Sequence, residues 1–133
     1  MRRRIARSAL ILFFAAYALG AELDGIWAGQ QAGRNGLPED LAFRFQRSGT
    51  TVTGKMFGDE FDLPVLEGSL AGDQIRFVVT TTNYYNGSKT KFIYTGTIKG
   101  LEMELVRERV PALDDKGGNR PAAKQTIKLK RIK

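Results

Sequence analysis

From Gly25 to Ile132 apolar side chains return at nearly every second position, with turn residues interrupting them about every ten. That period belongs to strands with one buried face, and no segment sustains the spacing of a helix. Gly25 to Gln31 reads as a first strand, followed by turn chemistry over Gly33-Arg34-Asn35-Gly36-Leu37-Pro38. Leu41 to Arg47 alternates cleanly, Ser48-Gly49 turns the chain, and Thr51 to Phe57 forms a third strand. Phe61, Leu63 and Val65 then share one face before the phase shifts and Leu66, Gly68 and Leu70 align, which beside Pro64 predicts a bulge or a break. Further strands follow around Ile75 to Thr81, over Thr90 to Ile98, around Met103 to Arg107, and over Lys124 to Ile132.

Hairpin-length links join most of these segments. Mid-strand glycines at Gly54, Gly68 and Gly96 would let a sheet coil sharply enough to close on itself. The pattern predicts an all-β domain, an eight-stranded antiparallel up-and-down (meander) barrel. Its first strand carries the sole tryptophan, Trp27, flanked by Gly25 and Gly29 in a setting suited to pressing the indole against neighbouring backbone. Phe43, Phe45, Val52, Met56, Phe77, Phe92, Tyr94, Met103 and Leu105 face inward by parity, and Arg107 shares the parity of Met103 and Leu105. Such an interior is a packed core or a cup for an apolar ligand, and the alternation is the same for both. Arg44, Lys55, Arg76, Glu102, Glu104, Lys128 and Lys130 fall on the outside. A charged outer band argues against a lipid-facing barrel.

With 133 residues, of which 42% are hydrophobic, the chain has room for one domain with a core of its own. Cysteine and histidine are both absent, which excludes disulfides, thiol nucleophiles, Cys/His metal sites and histidine-dependent triads. Residues 1–21 join Arg2, Arg3, Arg4 and Arg7 to the apolar run Ala9 to Leu19 and the small residues Ala18, Gly20 and Ala21. That order predicts a signal peptide, the alternative being an uncleaved anchor. Residues 22–133 then form the single barrel domain. Without the four leader arginines, the formal charge of +7 falls to +3, and nucleic acid is not an expected partner.

Polar clusters are few. Asp59, Glu60 and Asp62, and separately Asp114-Asp115, lack the ordered spacing of a cation loop and read as solvated turn acids. No cofactor or metal is expected. Asn83-Tyr84-Tyr85-Asn86-Gly87-Ser88 puts two adjacent tyrosines at a hairpin tip, either as a carbohydrate or ligand platform or with one ring closing the core. Asn86-Gly87-Ser88 is formally a glycosylation sequon, expected to go unused behind a bacterial-style leader.

Gly25-Ile26-Trp27 resembles the Gly-x-Trp signature that opens the first strand in lipocalins and related calycins, and the whole mature chain resembles small secreted bacterial lipocalin-like domains. The resemblance implies that Trp27 lies across one barrel end with a basic residue of the last strand packed on it. Arg131, on the face of Ile127 and Leu129, is the residue in that position, as a cation–π and hydrogen-bonding plug. The expectation is a non-enzymatic binding protein, secreted or periplasmic and monomeric. It would hold a small apolar ligand through Trp27, Phe45, Phe77, Tyr84, Tyr85, Tyr94 and Arg131. The alternative is a carbohydrate- or protein-interaction module that uses Tyr84, Tyr85 and the loop 111–121.

Overall fold

The computed structural model describes residues 22–33, 36–58, 61–110 and 124–132. Residues 1–21, expected as a signal peptide, Asp59, Glu60, and the loop 111–121 with Asp114 and Asp115 lie outside them. Nine strand segments run in chain order: β1 Gly25–Ala32, β2 Pro38–Ser48, β3 Thr51–Phe57, β4 Asp62–Pro64, β5 Leu66–Ala71, β6 Gln74–Thr82, β7 Lys89–Lys99, β8 Glu102–Val110 and β9 Lys124–Ile132. Neighbours pair antiparallel along the chain, and β9 returns to β1 with Trp27 opposite Arg131. Segments β4 and β5 both pair with β3, β4 opposite Lys55–Phe57 and β5 opposite Thr51 and Val52, so they are two halves of one broken strand. The result is the expected closed, eight-stranded, all-antiparallel meander barrel.

The break has a local cause. Pro64 has no N–H for a ladder, and the next amide, that of Val65, donates to the Gly54 carbonyl at 2.9 Å. Phe61, Leu63 and Val65 keep the inward parity that the alternation predicts, Val65 reaching 7% exposure. The phase shift comes later than expected. Leu66 is 40% exposed instead of aligning inward with Leu70, and the register against β6 slips between Leu66 and Ser69. Glu67 absorbs the extra residue with a φ of 49°, the only non-glycine among the described residues in the left-handed region.

Three mid-strand glycines are places of close backbone approach, as barrel curvature requires. A Cβ at Gly54, Gly68 or Gly96 would land on a carbonyl oxygen of the adjoining strand, that of Arg44, Val52 or Glu104 respectively. Four rings fill the middle of the barrel. Phe43 stacks on Phe45 at 5.3 Å and Phe77 on Tyr94 at 4.8 Å, and the two stacks meet edge to face. The interior at that level is therefore a packed core. Outside, Arg44, Lys55, Arg76, Glu102, Glu104, Lys128 and Lys130 are exposed as expected.

Candidate functional site: a cup at one end of the barrel

The two ends differ. At the start of β1, Trp27 is fully buried and its indole N–H donates to the Leu23 carbonyl at 2.9 Å. Leu23 itself is 2% exposed, so the segment before β1 folds across this end. Arg131 lies here too, but not as the expected cation–π partner of the indole. Its guanidinium lies against Gly25, donates to the Asp24 carbonyl and pairs with Glu22 at 3.4 Å. A nearby backbone carbonyl and a carboxylate offer the cation stronger partners than a ring face. This end is sealed.

The other end is open. A cavity of about 600 Å³ enters between the last residues of β1, β3, β6 and β8 and the first of β2 and β7. Met56, Phe61, Leu63, Phe92 and Tyr94 supply its apolar walls, while Gln31, Thr81, Thr90, Arg107 and Arg109 supply polar ones. Its volume falls within the roughly 300–1,000 Å³ of small-molecule sites. Asn83, Asn86 and Ser88 bring the β6–β7 hairpin to the rim.

Arg107 organises the polar side. Its Nη1 donates to the Gln31 side-chain oxygen at 3.1 Å and its Nη2 to that of Gln125 at 2.7 Å, while the guanidinium carbon stands 4.9 Å from the centre of the Phe92 ring. Beside it, Tyr94 donates its hydroxyl to the Met56 sulfur at 3.4 Å. Burial pushes the Tyr94 phenol above its ordinary value of 10.0, against a downward pull from Arg107. The native phenol therefore keeps its proton where an unfolded tyrosine begins to lose one. This contribution to stability is complete below about pH 10 and is lost as pH rises from there through the higher native value. Between about pH 8 and about pH 10.5, the urea midpoint of the wild-type protein should fall further than that of Tyr94→Phe. Equal falls would show that the buried phenol does not drive the loss.

Of the seven expected ligand-binding residues, the cup takes only Tyr94. Phe45 and Phe77 are fully buried in the ring cluster and do not line it, and Trp27 and Arg131 belong to the sealed end. Tyr84 and Tyr85 are each 94% exposed, so neither closes the core, and their rings meet at right angles with centres 5.8 Å apart. The alternation turns Met56 and Phe92 inward, as core or cup wall alike, and assigns no role to Arg107 or Gln31. A charged side chain on the inward parity of β8 was the available signal. Among the described residues no group of three or more acidic side chains could hold a metal ion. Asp62 of the expected acidic cluster is exposed and pairs with Lys55 at 3.5 Å.

The class that fold and site define is a closed antiparallel β-barrel with one sealed and one open end. Comparison with protein-family models and with curated protein sequences found no match.

Proposed function

We propose that this chain is a secreted, non-enzymatic ligand-binding protein of lipocalin type, holding a small molecule in the open cup. The observation that carries the reading is the asymmetry of the barrel. One end is stoppered by Trp27 and Leu23, while the other leads into a walled space of about 600 Å³. The Gly25-Ile26-Trp27 opening supports the lipocalin likeness, the N-terminal arginines and apolar run support export, and the lack of histidine and cysteine supports binding rather than catalysis. The charged outer face supports a water-borne barrel.

A neutral fluorescent probe, N-phenyl-1-naphthylamine, tests this on the mature chain. Saturable enhancement is expected at one probe per barrel, weakened by Thr90→Trp, which adds bulk to the cup wall. Absence of saturable binding, or binding indifferent to Thr90→Trp, would defeat the proposal. An external probe is needed because Trp27 does not line the cup. The two exposed tyrosines favour a second reading, a surface module for glycans. A glycan shift lost in the double variant Tyr84→Ser/Tyr85→Ser, without probe binding, would establish that reading instead.

A further inference from the structure

We propose that the cup selects an amphipathic carboxylic acid, with its carboxylate on Arg107 and a short apolar body against Phe61, Leu63 and Phe92. The inference rests on the ligand-binding reading above and names the ligand class for the same cup.

Arg107 is a half-buried cation, and the more a charge is withdrawn from water the more it gains from a partner of opposite sign. Its two hydrogen-bonding amides, Gln31 and Gln125, are neutral. They fix the plane of the guanidinium without cancelling its charge. Among the described residues no carboxylate pairs with Arg107. Arg131 at the sealed end provides the internal contrast, since Glu22 stands 3.4 Å from it. A guanidinium carries five N–H donors, so a fork held by two amides and the Tyr94 hydroxyl and packed on Phe92 retains donors for an incoming acceptor. Its planar geometry matches a carboxylate in bidentate contact.

The surrounding charges point the same way. Lys89 also lines the cup, and the one acid among its described lining residues is Glu39, whose carboxylate accepts from the Gln31 amide at 3.3 Å. An excess of one sign within low-dielectric walls concentrates anions of the other. The apolar walls then require a body that water rejects. Tyr94 and Met56 join across the floor of the cup at 3.4 Å, and the ring cluster fills the barrel beyond them. That limits the body to a medium chain or a single ring system.

The test compares decanoate with decanol, each displacing N-phenyl-1-naphthylamine from the mature protein. In the wild type, decanoate should displace the probe at a concentration lower by about tenfold or more, as expected for a charge-assisted contact. That ratio should collapse toward one in Arg107→Met and recover in part in Arg107→Lys, which keeps the charge but not the fork. It should also collapse in the wild type as the solution is acidified through the carboxylic acid's own titration near about pH 4–5, a readout that depends on no variant folding. Equal displacement by decanoate and decanol in the wild type would overturn the carboxylate assignment while leaving the cup intact. So would a preference that survives Arg107→Met. Failure of the wild type to bind the probe at all would overturn both readings.

Discussion

Gly54→Ala is expected to cost about 3–5 kcal/mol, a large part of the roughly 5–15 kcal/mol that holds a domain together. Gly54 has a φ of +151°, where an L side chain is strained on any backbone. Its added Cβ would also land on the carbonyl oxygen of Arg44 and within 3.2 Å of the Cα of Phe45. Both atoms are backbone, so no side chain can swing away, and β2 and β3 would have to separate where Phe45 pairs with Gly54. The same glycine accepts the Val65 amide at 2.9 Å, tying the break in the β4–β5 strand to the curl of β3. Gly72→Ala serves as the comparison. Its φ is +62°, but nothing lies within 4 Å of the added carbon, so only the conformational cost of about 1 kcal/mol remains. Urea denaturation of the two variants separates the effects. A Gly54→Ala loss below about 1 kcal/mol would mean that β2 and β3 do not approach this closely at Gly54.

The alternation of side chains places the strands, because in a closed sheet most inward positions are apolar and most outward ones wetted. Met56, Phe77, Tyr94 and Leu105 all lie inside for that reason. Alternation is blind to height along the barrel axis, however. Phe45 and Tyr94 have the same parity, yet one belongs wholly to the ring cluster and the other forms part of the cup floor. Height follows from register, and register depends on turns and bulges such as the one at Glu67, which local propensity places only approximately. Arg107 was legible as an inward charge. Its meaning depended on Gln31 and Gln125, which lie 76 and 18 residues away along the chain. Tyr84 and Tyr85 could equally have been core or surface, since a hairpin tip imposes no parity, and the structure puts both in solvent. The basic residue of the last strand was found in the right place, but the cation turned to Asp24 and Glu22 because those partners lie in the segment that folds over the end.

That segment gives Trp27→Ala its expected effect, a loss of about 3–5 kcal/mol. The indole is fully buried, and the strands beside it cannot collapse freely into the space it would leave, because the backbone of β9 already lies hard against Gly29. The substitution also leaves the Leu23 carbonyl without its donor, in a residue that is 2% exposed. Trp27→Phe refills much of the volume but not the hydrogen bond, so it should cost less, about 1–3 kcal/mol. The order wild type, Phe, Ala in urea midpoints is the check, and an Ala loss below about 1 kcal/mol would mean that the indole does not seal the barrel. Because the cup floor is built from Tyr94 and Met56 and not from Trp27, the stopper and the cup are separable. At a urea concentration where each variant is still folded, Trp27→Phe should bind the neutral probe as the wild type does, whereas Thr90→Trp should leave the urea midpoint nearly unchanged and weaken the probe. A stopper variant that lost probe binding while remaining folded would mean that the two ends of the barrel act as one site.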